Sequence, residues 1–281
     1  MKEETENSYN IAINRVVDYI NSHLSEDLTV SKLAAQACIS SFYFHRIFTS
    51  VMGEPVGAYI TRLRLEMAAQ QLGIPRPNLS DIAYNCGYNS KYALSKAFKK
   101  QFGVSPSVFR KNPPAYSKIK GKHSFVPVTL HPVTEVCNTL HLAYVRITGR
   151  YGDKIKFAQG WEKLKTYMHD NNLLLPTTRW IGISFDSPHI TDYTRCRFYA
   201  CATVPHPIKP QGAVGYYNIM AGKFAVFTLK GSYNGLQNMY DNIYREYDYQ
   251  LRDDVCFEEY VNNPQYTREE NLLTKIYIPI K

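Results

Sequence analysis

The sequence predicts a multidomain chain. An all-α domain made of two copies of a short helix pair precedes an α+β domain, whose two halves, each strand-strand-helix-strand-strand, form one antiparallel sheet. Three observations predict this. The first part repeats itself with a period of about 50 residues. Near His123 the apolar pattern changes from helical spacing to strand alternation, as in Leu142-Ala-Tyr-Val-Arg-Ile-Thr148. The remainder repeats again, at displacements of 82 and 76. A chain of 281 residues is long enough to close two cores.

Composition narrows the classes. With 44% hydrophobic and 20% charged residues the chain reads as globular, which excludes disordered and fibrous classes. The start, Met1-Lys-Glu-Glu-Thr-Glu-Asn-Ser, has no apolar signal region, and no stretch approaches the roughly 18 apolar residues of a membrane span. The expected location is cytoplasmic, with no membrane partner. Cys38, Cys86, Cys137, Cys196, Cys201 and Cys256 are scattered, without the paired spacing of a zinc site, and read as reduced, mostly buried thiols. No cofactor or metal is expected.

In the first domain, Ser40, Phe44, Phe48 and Gly53 match Ser90, Leu94, Phe98 and Gly103, displaced by 50, whereas Leu33-Ala34 matches Ile82-Ala83, displaced by 49. The second turn therefore holds one extra residue. Ala34, Ala37, Ala83 and Gly87 are small enough for two helices to approach through a tight turn. Ser40 and Ser90 stand where N-caps belong. Phe44, Ile47, Phe48 and Leu94, Ala97, Phe98 form inward stripes at helical spacing, which leaves the opposite faces polar. A leading helix is expected over 10–23 and a linking helix over 55–72, with Pro75 and Pro77 breaking the chain after it.

Charge adds direction. Residues 1–122 carry 16 Lys/Arg against 9 Asp/Glu, the rest 17 against 15. Between Asp81 and Lys122 nine residues are basic and only Asp81 is acidic. That face suits either solvent or a polyanion.

The run Ile82-Ala-x-x-x-Gly-Tyr-x-Ser90, then Leu94-Ser-Lys-Ala-Phe-Lys-Lys-Gln-Phe-Gly-Val-Ser-Pro106-x-x-Phe-Arg110, closely resembles the AraC/XylS signature, over residues 11–110. The resemblance implies two helix-turn-helix units that set recognition helices in successive major grooves of double-stranded DNA. A linking helix of 18 residues is about 27 Å long, comparable with the roughly 34 Å between grooves. By the resemblance Phe42, His45 and Arg46 read bases from the first unit, and Lys91, Tyr92, Ser95 and Lys96 from the second. Lys99 and Lys100, at the far end of the helix, suit phosphate. Phe42 and Ala93 depart from several relatives, so no target sequence is implied.

The run 111–122 combines a Pro pair, a late Gly and basic residues, which places a linker at 116–122 between domains 1–115 and 123–281. A strand is expected over 125–130. Ala143, Val145, Gly149 and Tyr151 match Ala225, Phe227, Gly231 and Tyr233, and helices follow over 154–171 and 234–251. Phe257-Glu-Glu-Tyr260-Val-Asn-Asn-Pro264 with Thr274-Lys-Ile-Tyr-Ile-Pro-Ile280 resembles the GyrI-like effector-binding domain, and the whole chain resembles Rob-like regulators. The resemblance implies a cleft glutamate, here Glu258, that meets small cationic or amphipathic molecules beside aromatic rings. The repeat sets Glu258 opposite Gly182, a carboxylate where the duplicate has no side chain. Fifteen of the 23 tyrosines lie beyond residue 122. Candidate rings are Tyr144, Trp161, Trp180, Tyr217, Phe227 and Tyr260, although strand aromatics also serve as plain core.

Three functions from different classes follow. The first is a transcription regulator, an activator among them, that senses a small effector such as a lipophilic cation. The second is a DNA-binding protein whose other domain meets only proteins, RNA polymerase for one. The third is a small-molecule hydrolase fused to a DNA reader, which no catalytic constellation supports. The chain is expected not to be an enzyme.

Overall fold

The structure is a computed structural model that describes residues 2–73, 77–111, 130–246, 250–252 and 254–281. Two units are present, each described by itself. The expected linker 116–122 and Pro75 lie outside the described residues.

The first unit is helical: α1 (Lys2–Ser22), α2 (Val30–Ala37), α3 (Ser41–Met52), α4 (Val56–Leu72), α5 (Leu79–Asn85), α6 (Lys91–Phe102) and α7 (Pro106–Lys111). The leading helix starts eight residues before its apolar stripe. Residues 2–9 are polar except Tyr9 and show no apolar stripe from which a helix could be read. The inward stripes fall as expected, with Phe44, Phe48, Leu94 and Phe98 fully buried. Two separate apolar cores line α4. Val56, Tyr59, Ile60 and Leu63 join α1–α3, and Leu65, Ala68, Ala69 and Leu72 join α5–α7.

The turns repeat in detail. Cys38 and Gly87 both adopt the left-handed conformation, φ 54° and 71°, and Ile39 N donates to Ala34 O as Tyr88 N does to Ala83 O. These pairs are displaced by 49, so Asn89 is the extra residue. Of the two expected caps, only Ser90 uses its side chain, accepting from Ala93 N at 3.2 Å. Ser40 makes no side-chain cap bond; its backbone carbonyl accepts from Phe44 N instead. Thr29 and Asn78 cap α2 and α5, each cap contributing about 1 kcal/mol.

The second unit holds β1 (Val133–Cys137), β2 (Leu140–Thr148), α8 (Lys154–Asp170), β3 (Trp180–Ser184), β4 (Arg197–Val204), β5 (Val214–Ile219), β6 (Gly222–Lys230), α9 (Leu236–Glu246), β7 (Phe257–Tyr260) and β8 (Leu273–Ile280). The described strands form one sheet in the order β1-β6-β8-β7-β3-β4-β2-β5, antiparallel throughout. The duplication is visible in this order, since β2, β3 and β4 recur as β6, β7 and β8 on the far side of the β3–β7 pair. The first strand of each half crosses over: β1 pairs with β6, and β5 with β2.

One expectation lies almost wholly outside the described residues, and another changes. The strand over 125–130 falls outside the described residues except for Leu130, which is in no strand; β1 begins at Val133. The second helix, expected to reach 251, is described to Glu246; residues 247–249 lie outside the described residues, and Leu251 bridges to Ile280 rather than continuing a helix.

Register places the centre of the sheet. A straight row runs Phe227, Ile276, Glu258, Gly182, Ala200, Val145 across six strands. Val145 and Ala200 pack with Leu164 and Met168 of α8; Phe227 and Ile276 pack with Met239 and Ile243 of α9. Glu258 and Gly182 lie between the two helices, on the same face. The opposite face carries Tyr144, Tyr199, Ile181, Phe257 and Tyr277, with Phe185 and Val255 from neighbouring loops packed on it. Strand alternation makes that division.

Candidate functional sites

The outward faces of α3 and α6 form the first site. Because Phe44, Ile47, Phe48 and Leu94, Ala97, Phe98 fix the inward side, the residues on the opposite arc of each helix face outward. Phe42 is 72% exposed and Tyr92 74%, and His45, Arg46, Lys91, Lys96, Lys99 and Lys100 are exposed as well. Ser95 is half-buried, its hydroxyl donating to Lys91 O at 2.7 Å. Tyr43, which sequence reasoning missed, is also exposed and stands edge-on to Phe42 at 5.5 Å. Its position directly before the inward Phe44 was the available signal. The Lys91 ammonium lies 5.4 Å from the Tyr92 ring centre, a cation–π pair at the start of α6. Lys99 and Lys100 occupy the last turn, where their charge also complements the helix dipole.

The second site is built around Glu258, only 4% exposed. Tyr260 OH donates to Oε2 at 2.6 Å, and Tyr240 OH donates to Oε1 at 3.2 Å. Tyr260 comes from the same face of β7, two residues on; Tyr240 comes from α9. Tyr260 is ringed by Tyr233 at 5.3 Å and Trp161 at 5.7 Å, and Trp161 meets Trp180 at 6.1 Å and Phe198 at 6.3 Å. Space for the Tyr260 hydroxyl exists because residue 182 is glycine: a Cβ there would lie 2.4 Å from that oxygen and 2.7 Å from Phe198 Cζ. The missing side chain of the duplicate is thus occupied by its partner strand's tyrosine.

Burial pushes the Glu258 carboxyl up to about 7, against the hydrogen bonds from Tyr260 and Tyr240, which pull it down. The same burial, with the nearby carboxylate, holds both tyrosine hydroxyls well above their ordinary range, so they remain donors. Among the described residues no basic side chain forms an ion pair with Glu258. Its neighbour Glu259 contrasts with it. Pointing to the opposite face, Glu259 accepts from Arg179 at 2.9 and 2.7 Å and from Tyr277 OH at 2.8 Å. Burial alone would raise its carboxyl, but the Arg179 guanidinium outweighs that and holds it below the usual range.

Of the candidate rings, the structure brings Trp161, Trp180 and Tyr260 together with Glu258. Tyr144 and Tyr217 lie on the other face, where Tyr144 stacks on Tyr199 at 4.1 Å and Tyr217 stands edge-on to Tyr199 at 6.1 Å. Phe227 shares the face of Glu258 but is core beneath α9. Tyr233, Tyr240 and Phe198 were missed, because the first two come from the 3₁₀ turn and helix after β6 and sequence spacing does not place a helix over a strand. Among the described residues no cluster of three or more His, Cys, Asp or Glu suits a metal ion, and no helix is long and apolar enough to cross a membrane. The six cysteines are free; Cys38 is the exposed one, at the α2–α3 turn.

Geometry and charge define a chain of two modules, a paired helix-turn-helix unit and a duplicated sheet that buries, among rings, a carboxylate with no ion-pair partner among the described residues. Comparison with known proteins agrees: residues 33–112 match the helix-turn-helix domain model and 136–281 the GyrI-like small molecule binding domain model. The chain belongs to the AraC-type helix-turn-helix proteins and, over its second half, to the GyrI-like small molecule binding domain family. Over 95 residues it is 34% identical to the right origin-binding protein of Escherichia coli K12, an alignment covering 34% of this chain and 33% of that protein. It therefore spans about a third of that relative's length. It is 30% identical over 103 residues to the regulatory protein SoxS of Salmonella typhimurium, covering 37% of this chain and 96% of SoxS. A cryo-EM structure of an EcmrR–DNA complex is 14% identical with a TM-score of 0.47, covering 90% of this chain and 98% of that one.

Proposed function

We propose that the protein is a DNA-binding transcription regulator whose second unit senses a small cationic or amphipathic effector. The observation that carries the sensing half is Glu258: a buried carboxylate with tyrosine hydroxyls on both oxygens, no cationic partner among the described residues, and aromatic rings around it. A soft organic cation gains there from charge and from ring quadrupoles together. The reading half rests on the twin exposed faces of α3 and α6, and on the DNA-linked helix-turn-helix family to which the chain belongs. Two recognition helices in one chain need no second copy to span adjacent grooves.

The test is calorimetric titration of the full chain with a lipophilic quaternary ammonium and its uncharged carbon isostere. Glu258→Gln should weaken the cation by about 5-fold to 150-fold, the worth of about 1 to 3 kcal/mol for a hydrogen-bonded charge, and leave the isostere nearly unchanged. The pH sign follows from the raised carboxyl. Below about 7 the residue holds its proton, so cation affinity should fall as pH drops from 8 to 5.5 in the wild type and stay flat in the variant. Equal losses for both ligands would assign Glu258 to the fold rather than to sensing.

A further inference from the structure

The two cores on α4 stop at Leu63 and resume at Leu65. Arg64 sits at that junction, half-buried. Its guanidinium reaches back to the loop after α1, Nε donating to Leu24 O at 2.8 Å and a terminal nitrogen donating to Glu26 O. Forward, it lies against the α5–α6 turn: a Cβ added to Gly87 would be 2.7 Å from the guanidinium carbon and 2.6 Å from Leu24 O. Gly87 also holds φ 71°, a conformation Cys38 takes in the first copy, so the close approach rather than the turn alone demands glycine there. Among apolar side chains, Met67 is partly buried against both cores. Arg64 therefore ties a loop of the first helix pair, the rod between the pairs, and the turn of the second.

Orientation between the pairs matters because duplex DNA is a screw. One base pair moves a target by roughly 3.4 Å and about 35° around the axis. A planar fork that bonds two carbonyls at once resists both displacements, which a lysine at the same place does not.

We infer that Arg64, seated on Gly87, is a positioning residue that fixes the spacing and rotational phase at which α3 and α6 are presented, and so decides which half-site separation the protein accepts. This rests on the DNA-reading half of the proposed function.

The experiment starts by selecting duplexes from a random pool with the full-length wild type, then inserting or deleting one base pair between the two half-sites. The wild type should lose roughly tenfold or more at either change, as for a lost base contact. Arg64→Ala should lose about threefold or less, with weaker binding at the best spacing, because loosely joined modules tolerate a wider span at lower effective concentration. Arg46→Ala, a control on the reading face, should weaken all spacings in parallel. A spacing profile for Arg64→Ala parallel to wild type would overturn the inference. Arg64→Lys, which keeps length and charge, should fall between the two, and serves if the alanine variant does not fold. Single-molecule energy transfer between dyes on unnatural residues at Ser50 and Gln101 gives a readout without DNA. A distance distribution broader in Arg64→Ala than in wild type supports the clamp, and equal widths overturn it. If the wild type enriches no duplex, the DNA reading falls while the distance measurement still judges the clamp.

Discussion

Arg46 and Lys99 carry the same charge on helices of the same kind, yet under the proposed function their positions suit them to different work. Arg46 projects from the middle of the exposed face of α3, and the two parallel donors of a guanidinium are suited to a guanine edge. Lys99 stands in the last turn of α6, a point charge suited to phosphate. Arg46→Ala should cost about 1 to 3 kcal/mol and relax the preference at one base pair, while Lys99→Ala should weaken all sequences alike and reduce the salt slope by about 1. Binding isotherms at several salt concentrations on selected and scrambled duplexes separate the two, and identical behaviour would refute the division. At this scale the sequence spoke clearly where one helix decides the outcome: the stripe Phe44, Phe48 settles which way Arg46 faces. It was silent on Tyr240 and Arg64, whose partners lie on other elements. Tyr144 and Tyr217 read as candidate rings because their parity relative to Glu258 depends on register carried across several strands.

The element most dependent on its neighbour is β7, which carries Glu258 and Tyr260 against β3. Gly182→Ala would press on the Tyr260 hydroxyl and on Phe198, so the tyrosine must turn away and release Oε2 of Glu258. The expected cost is about 1 to 3 kcal/mol of stability, typical of overpacking. Tyr260→Phe removes the crowded oxygen, so the double variant should recover part of that loss, a coupling visible in a thermal double-mutant cycle. Additive losses would show that Phe198, not Tyr260, meets the new methyl. Elements themselves were largely readable, because periodicity of 3.6 or 2 reports burial directly. Their ends were less so: α1 begins in a polar run with no stripe, Ser40 caps with its backbone alone, and Leu251 leaves the helical pattern to bridge Ile280.

Across the whole molecule, both duplications were legible because each copy keeps its spacing, 50 with one insertion in the first unit, 82 and 76 in the second. How the second pair of copies interlocks was not, since a repeat reveals likeness and not partnership. The outer strands are exchanged, β1 completing the later half and β5 the earlier one. Such an arrangement is a domain-swapped dimer threaded onto one polypeptide. The sheet unit, residues 130–281, severed in the exposed connection at 205–207 should yield two halves that are each unstable alone, with a bare sheet edge, but that reconstitute on mixing. Co-purification and recovery of cooperative melting would show it, whereas a fragment that folds alone would contradict it. Growth or loss of either half is then not a modular event, because each half supplies the edge strand that the other pairs with.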